Sequence, residues 1–214
     1  MTSNRICLLL PALAALLMLA GCATEDEAPP VSDSWTRIGP GGEALAAANG
    51  AHHCIFDERT GLMWEVKRDE PGLHQPGQTY SWYFADRQVN MGDAGARDDG
   101  DCVHSRCDTE GFAAAVSEAG LCGFHDWRVP TRTELMTLGD RRLMDETGLI
   151  VDPAWLPHVE PGEYWASETF RLYPQSAWTV DMRHGLDRAD LKNEAKSVRL
   201  VRQHRAPAGE QAGE

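Results

Sequence analysis

The sequence predicts an α+β fold in which short helices pack on antiparallel sheets. The segment "HCIFDERTGLMWEV" (residues 53–66) predicts two extended strands around a turn, and "TYSWYF" (residues 79–84) places alternate aromatic side chains on one face of a further strand. The segment "CDTEGFAAAVSEAGLCG" (residues 107–123) instead has the apolar spacing of a short helix with one buried face. With 214 residues, the chain is long enough to bury one sizeable core.

The first segment predicts a lipoprotein signal peptide, residues 1–21. Arg5 precedes an apolar run from Ile6 to Ala20, which is shorter than the roughly 20 residues of a membrane span but typical of a signal peptide. The run leads into "LAGC", which resembles the bacterial lipobox and predicts that Cys22 becomes the acylated first residue. The alternative is an ordinary signal peptide followed by an unrelated cysteine. By the same resemblance, alanine rather than aspartate after Cys22 favours a lipid anchor in the outer membrane of the cell envelope.

Composition divides the rest of the chain into three parts. Residues 22–50 are rich in alanine, glycine, proline and acidic residues and predict a tether, although Trp35 and Ile38 are apolar enough to pack on the domain. Residues 51–204 predict the folded domain, and residues 205–214 predict a polar tail. The formal net charge of −13 argues against nucleic acid as a partner, because phosphate binding requires a basic surface.

The predicted helix has recognisable ends. Asp108 is a suitable N-cap, because its carboxylate can accept hydrogen bonds from free backbone N–H groups of the first turn. Gly120 suits the position after the last helical residue, where a left-handed backbone is common. The apolar residues between these ends follow the spacing of one helix face: Phe112, Ala115, Val116 and Ala119.

The segment "HDWRVPTRTEL" (residues 125–135) predicts a strand end followed at once by a helix. Pro130 favours an extended backbone before it, so alternate side chains should face opposite sides of the strand. Asp126 and Arg128 would share the side opposite Trp127. We expect these two charged residues to bind each other or nearby backbone groups.

A capping box predicts the start of the helix in this segment. In such a box, the side chains of Thr131 and Glu134 each bind a backbone N–H group, and the helix begins at Arg132. A catalytic interpretation of the charged residues would need a nucleophile or a metal, and none lies nearby in the sequence. We therefore interpret the segment as a structural corner.

Six cysteines are present, and four of them predict disulfide bonds. Cys7 lies in the signal peptide and Cys22 is the lipidation site, which leaves Cys54, Cys102, Cys107 and Cys122 for two bonds in an exported protein. Three pairings exist. A helix after residue 107 would hold Cys107 and Cys122 farther apart than the about 7 Å that a disulfide allows. We therefore prefer Cys102 with Cys107 and Cys54 with Cys122.

Metal sites are the alternative use of these residues. Zinc could take nitrogen and sulfur ligands from the "HHC" run (His52, His53 and Cys54) and from His104, Cys107 and His125, but their spacing matches no standard zinc pattern. Calcium could take oxygens from Asp93, Asp98, Asp99 and Asp101, but this run lacks the alternating spacing of a calcium loop. We therefore predict no metal and no cofactor, and a solvated loop at the acidic run.

The sequence also contains no G-x-S-x-G elbow, no H-E-x-x-H motif and no glycine-rich phosphate loop after a strand. We therefore predict that the protein is not an enzyme. Among its aromatic residues, three are candidates for a ligand surface: Tyr83, Trp155 and Tyr173. Four tryptophans are more simply interpreted as core anchors: Trp64, Trp127, Trp165 and Trp178.

Five sequence blocks resemble, in order, the signatures of the Lcl C-terminal domain family, over about residues 52–203. The blocks are "TGLMWE" (residues 60–65), "GLCGFHDWRVPTRTEL" (residues 120–135), "YWASE" (residues 164–168), "AWTVDMRHG" (residues 177–185) and "VRLVR" (residues 198–202). The resemblance implies a C-type lectin-like fold, with short helices packed on twisted antiparallel sheets. In the collagen-like adhesin of this family, the domain binds host polysaccharides such as glycosaminoglycans.

Two features of this chain depart from that adhesin, since it has no collagen repeat and its net charge is negative. We expect a lipid-anchored binding module of the cell envelope that recognises a glycan or an envelope or host surface partner. A structural component of an envelope assembly is the alternative. The segment "RVPTRTEL" also resembles a corner of formylglycine-generating-enzyme-like domains, but those enzymes bind copper through late cysteines and the last cysteine here is Cys122.

Overall fold

The computed structural model describes residues 30–46 and 51–204. The strands in this part of the chain are β1 (Trp35–Ile38), β2 (Cys54–Asp57), β3 (Leu62–Glu65), β4 (Tyr80–Ser81), β5 (Glu163–Thr169), β6 (Ser176–Asp181), β7 (Leu186–Leu191), β8 (Ala195–Lys196) and β9 (Val201–Gln203). The α-helices are α1 (Arg87–Asn90), α2 (Thr109–Ala119), α3 (Arg132–Met136) and α4 (Met144–Thr147). Short helices beside antiparallel sheets confirm the α+β class.

The first sheet contains four antiparallel strands in the order β1-β2-β3-β9. Strands β2 and β3 form the predicted hairpin, and the N–H of Gly61 closes its turn by donating to the carbonyl oxygen of Asp57 at 2.8 Å. Gly61 has a φ of 69°, which glycine adopts without the steric cost that a Cβ atom would add.

Strand β1 lies inside the segment that the composition predicted as a tether, residues 22–50. Trp35 and Ile38 are each 5% exposed, and β1 pairs with β2 along its whole length. The folded part of the chain therefore begins earlier than residue 51, because two large apolar side chains in an otherwise polar segment are buried. The predicted signal peptide, Cys22 and the predicted tail at residues 205–214 lie outside the described residues.

The second large sheet has the order β5-β6-β7, and β4 pairs with β8 in a two-stranded sheet. Two clusters of buried side chains contain residues of the three-stranded sheet. One cluster includes Tyr164, Ala166 and Val180, and the other includes Trp165 and Ala177. Because neighbouring residues of a strand face opposite sides, this alternation shows that apolar side chains pack against both faces of the sheet.

Both helix starts that the sequence predicted are confirmed. Asp108 caps α2 by accepting a hydrogen bond from the N–H of Gly111 at 2.6 Å, and Gly120 follows the helix with a left-handed φ of 71°. At α3, the hydroxyl of Thr131 accepts from the N–H of Glu134 at 3.2 Å, and the Glu134 carboxylate accepts from the N–H of Thr131 at 2.8 Å. This reciprocal pair is the predicted capping box.

Asp126 and Arg128 do not bind each other, but Arg128 does bind nearby backbone, the other partner expected, by donating to the carbonyl oxygen of Val129 at 3.4 Å. Asp126 accepts hydrogen bonds from Arg202 at 2.6 and 3.2 Å, while Arg128 donates to Glu134 at 2.6 and 2.8 Å. The reason is that the backbone of Arg128 pairs with Val201, which brings β9 and its arginine beside the strand end. Asp126 is therefore paired with Arg202, which lies far along the chain, and not with its neighbour Arg128.

The two disulfide bonds join Cys54 to Cys122 and Cys102 to Cys107, which is the pairing preferred from the sequence. The first bond connects β2 with the turn after α2 across a sequence separation of 68 residues. The second closes a local loop with a separation of 5 residues. Within the described ranges, no helix is long and apolar enough to cross a membrane.

Candidate functional site

A surface groove of about 700 Å³ lies between α1, the start of α3 and strands β5 and β6. Its volume falls within the range of about 300–1,000 Å³ that is common for small-ligand sites. Apolar side chains line part of it: Phe84, Val89, Met91, Val129 and Trp178. Polar side chains line the rest: Gln88, Arg128, Thr131, Arg132, Ser167, Glu168, Thr169 and Arg171. We call this surface the Trp178 groove.

The corner that begins α3 forms one wall of the groove. The residues before Pro130 are extended, and the capping box at Thr131 stops the strand and starts the helix within two residues. Arg128 then reaches forward to Glu134 and binds both of its carboxylate oxygens. The wall is held rigidly, because backbone pairing, a cap and a bidentate ion pair act on one short segment.

This ion pair keeps both of its members charged. Burial alone would raise the pKa of Glu134, but hydrogen bonds from Arg128 and from the backbone of Thr131 outweigh burial and hold that pKa below its ordinary value. The hydrogen bond to Glu134 raises the pKa of Arg128 above its ordinary value. The positive charge of Arg128 is therefore balanced within the wall of the groove.

Trp178 provides the aromatic surface of the groove. Its ring is half-buried and packs perpendicular to the ring of Phe170, with a centroid distance of 5.1 Å and an interplanar angle of 84°. The guanidinium carbon of Arg132 lies 4.2 Å from the centroid of the same ring. Arg132 also donates to Asp187 at 2.7 Å, so its charge is balanced as well.

Two further side chains complete the polar lining. Glu168 accepts a hydrogen bond from the backbone N–H of Arg132 at 2.6 Å, which ties β5 to the first residue of α3. Arg171 is exposed and forms no ion pair with another described residue. The aromatic ring can stack on an apolar face of a ligand. The carboxylate, guanidinium, amide and hydroxyl groups beside it can exchange hydrogen bonds with a polar ligand.

The comparison with protein families gives one result over most of this fold. Residues 53–202 match the model of the Lcl C-terminal domain. The chain belongs to this family. No curated protein matches the chain. The Lcl C-terminal domain therefore covers β2 to β8 and the first two residues of β9, and it includes every residue that lines the Trp178 groove.

The structure places the three predicted ligand residues of this Lcl C-terminal domain in different parts of the fold. Tyr173 is 59% exposed and packs 6.0 Å from Phe170, next to the groove. Tyr83 directly precedes a groove residue, but the guanidinium of Arg97 lies 5.7 Å from its ring. Trp155 lines a separate cavity beside Trp35. Ligand binding by these three residues stays a prediction.

The sequence did not predict that Trp178 and the structural corner line a groove. Trp64, Trp127 and Trp165 are buried as predicted, each at most 4% exposed, whereas Trp178 is only half-buried and lines the groove. The corner and Trp178 meet through Arg132, which stacks on the Trp178 ring. That contact joins residues 46 positions apart, and no local pattern encodes it.

Several of the residues weighed as metal ligands have other partners. Cys54 and Cys107 are in disulfide bonds, and His52 Nε2 lies 2.6 Å from the carbonyl oxygen of Trp155. In the acidic run, Asp98 accepts from the N–H of Cys107 at 2.6 Å and so orders the small disulfide loop. Among residues 30–46 and 51–204, no three histidine, cysteine or acidic residues are grouped as metal ligands would be.

Proposed function

We propose that this protein is a lipid-anchored, non-catalytic binding module of the cell envelope that recognises a glycan or another envelope or host surface partner. The lipid anchor at Cys22 would hold it at the outer membrane. The lectin-like topology implied by the family resemblance belongs to the same proposal. The observation that carries it is the Trp178 groove, which combines a half-buried aromatic ring with planar polar groups on a rigid support.

The chemistry of the groove supports a saccharide ligand. Sugar rings present an apolar face that stacks on an indole and hydroxyl groups that bind carboxylates, amides and guanidinium groups. Two charged side chains of the groove are held in place by partners, Arg128 by Glu134 and Arg132 by Asp187. Such groups bind without the entropy cost of ordering them first, which favours recognition.

A glycan array with the soluble chain from residue 23 to residue 214, purified oxidised, tests this proposal with and without calcium. We expect saturable binding that Trp178→Ala reduces by at least about tenfold, through the lost stacking surface. Leu186→Ala is the control, because Leu186 is 62% exposed and does not line the groove. Equal binding by wild type and Trp178→Ala would refute the groove as the site.

The alternative is a structural component of an envelope assembly. One observation favours it: the turn after β5 exposes two adjacent large side chains, Leu172 and Tyr173, at 76% and 59%, and contiguous exposed apolar surface is where protein contacts form. A pulldown from envelope lysate distinguishes the two functions. If no glycan binds and one envelope protein is retained by the wild type but lost with Leu172→Asp, the assembly role replaces glycan recognition.

A further inference from the structure

One side of the Trp178 groove is formed by a single helical turn. Gln88 and Val89 on α1 and Met91 directly after it line the groove, and we call these three residues the α1 wall. One turn of helix is unstable by itself, because few hydrogen bonds offset the cost of fixing its backbone. Met91 also has a left-handed backbone, with a φ of 55°, which is costly for a residue with a Cβ atom. The α1 wall therefore depends on contacts from other elements.

The side chain of Lys192 contacts the end of this wall. Lys192 is 2% exposed, and its ammonium group donates to the carbonyl oxygens of Asn90 at 3.2 Å and of Asp93 at 2.6 Å. Asn90 is the last residue of α1, and Asp93 lies in the loop that follows. Carbonyl groups at a helix end have no partner within the helix, and a lysine side chain can satisfy them.

An aromatic ring lies against the same ammonium group. The nitrogen is 4.0 Å from the ring centroid of Trp82, which is fully buried and donates its indole N–H to the carbonyl oxygen of Ala166 on β5 at 2.8 Å. A ring face attracts a cation, more strongly where water is excluded. Trp82 also packs on the groove residue Phe84, with 4.8 Å between ring centroids. Two carbonyl oxygens and one ring thus surround the charge of Lys192.

The backbone of Lys192 is fixed by its neighbours. Its N–H donates to the carbonyl oxygen of Gln175 at 3.0 Å, and its carbonyl oxygen accepts from the N–H of Trp82 at 2.9 Å. A second side chain reaches the same helix end, since the hydroxyl of Thr169 on β5 donates to the carbonyl oxygen of Val89 at 2.8 Å. Two consecutive carbonyl groups of α1 are therefore bound by side chains of the second sheet, one on β5 and one directly after β7.

No carboxylate neutralises Lys192. It forms no ion pair with another described residue, and Asp93 is the one other charged residue among those that line the shallow cavity beside it. Burial lowers the pKa of Lys192 to about 8, and the charge of Asp93 opposes this shift. A buried charge of this kind costs free energy. An apolar side chain of the same length would avoid that cost but could not bind the two carbonyl groups.

We propose that Lys192 is a positioning residue of the Trp178 groove, whose ammonium group holds the α1 wall in the place where it can contact a saccharide. The consequence for binding rests on the function proposed above, whereas the position of the wall does not. Deprotonation would leave an amine with weaker hydrogen bonds and no charge for the ring to attract. None of the described residues that line the groove is a histidine, cysteine, lysine or tyrosine, so a change of the wall between pH 7 and 9 would originate outside the lining.

Global stability should respond to this group in the opposite direction. The unfolded chain keeps the Lys192 proton up to about pH 10.4, whereas the folded chain releases it near pH 8, because burial lowers the pKa. Between these values the unfolded state binds more protons, so the contribution of Lys192 to the free energy of unfolding rises with pH. A wall that loosens while the fold as a whole does not is the signature of positioning.

Hydrogen exchange of the full chain in detergent micelles tests the proposal at pH 7. The N–H groups of Asn90 and Met91 donate to carbonyl oxygens four residues earlier, at 2.9 and 3.1 Å. We expect Lys192→Met to speed their exchange at least about tenfold and to leave the amides of α2 unchanged. Glu194→Gln is the matched control, because it removes one exposed charge two residues from Lys192. Wild-type exchange at Asn90 and Met91 in Lys192→Met would overturn the proposal.

The pH dependence provides a measurement that needs no apolar substitution. Exchange at Asn90 and Met91 in the wild type, corrected for the intrinsic effect of pH, should speed at least about threefold between pH 7 and 9. Lys192→Arg keeps its charge at both pH values and should show no such change. No change in the wild type, or the same change in both proteins, would overturn the proposal.

The glycan array separates this proposal from the function on which it rests. Array binding at pH 7 should fall at least about tenfold in Lys192→Met and stay at the wild-type level in Glu194→Gln. Faster exchange with undiminished saccharide binding would overturn Lys192 as a positioning residue. If the wild type binds no saccharide and exchange is still faster in Lys192→Met, the proposed function is refuted and Lys192 remains the residue that positions the wall.

Discussion

Arg132 lies over the ring of Trp178, with its guanidinium carbon 4.2 Å from the ring centroid. The same guanidinium donates to Asp187 on β7 at 2.7 Å. The aromatic surface of the groove is thus held by a contact that joins α3 to two strands of the second sheet. The charge of Arg132 is balanced by Asp187, and this balance limits how strongly Arg132 attracts a charged ligand.

Ligand binding in the Trp178 groove should depend only weakly on salt. Arg128 and Arg132 are both ion-paired, which leaves Arg171 as the groove arginine without an ion pair to another described residue. Between 50 and 200 mM salt we expect a change in glycan affinity below about threefold, because screening acts mainly on unpaired exposed charges. Calorimetry at both concentrations measures it. A steep fall in affinity with salt would indicate a polyanionic ligand and contradict this assignment.

The long disulfide should stabilise the fold more than the short one. Cys54–Cys122 has a sequence separation of 68 residues and Cys102–Cys107 one of 5. The loss of loop entropy in the unfolded chain predicts about 4 kcal/mol for the first and about 2 kcal/mol for the second. Urea unfolding of the two double Cys→Ala variants compares the free energies. An equal or reversed order would show that strain or residual structure dominates over loop length.

The capping box should contribute measurably to stability. Thr131→Ala removes the hydroxyl that accepts from the N–H of Glu134, which typically costs about 1 kcal/mol of unfolding free energy. Thr133→Ala is the control, since Thr133 is exposed on the same helix. Chemical unfolding of both variants provides the measurement. Equal stability of the two would mean that the ion pair of Arg128 with Glu134 holds the corner without the cap.

The buried carboxylate of Glu65 should make stability depend on pH. Burial alone would raise the pKa of Glu65, but Lys67, at 2.9 Å, and His74, at 2.8 Å, hold it well below its ordinary value. A lowered folded-state pKa contributes stability that is complete above the unfolded value of about 4.3 and is lost as the pH falls below it.

Glu65→Gln tests this dependence. At pH 7 we expect a loss of about 3–5 kcal/mol, because the variant leaves the charge of Lys67 buried without its partner. The difference from wild type should narrow as the pH falls below about 4. Glu118→Gln, on the exposed side of α2, should follow the wild-type curve. A constant difference across all pH values would show that Glu65 acts through packing and not through its charge.

The local features that the sequence predicted depend on neighbours in the chain. The N-cap at Asp108, the left-handed Gly120 and the capping box of Thr131 with Glu134 each involve groups within a few residues. The side-chain partner of Asp126 was missed for the same reason, since only Arg128 and nearby backbone groups were considered and β9 supplied Arg202. Strand β1 was not predicted as a strand, because the alanine, glycine, proline and acidic residues around it indicate a tether.

The sequence by itself determined the α+β class, the family, both ends of α2 and the start of α3, because these depend on periodicity, capping chemistry and the order of motif blocks. Only the tertiary structure decided that Trp178 lines a groove and that Trp35 meets Trp155 across 120 positions. Both arrangements arise where strands and loops from distant parts of the chain pack together. Contacts of that kind depend on how whole elements are placed, and side-chain type alone does not encode them.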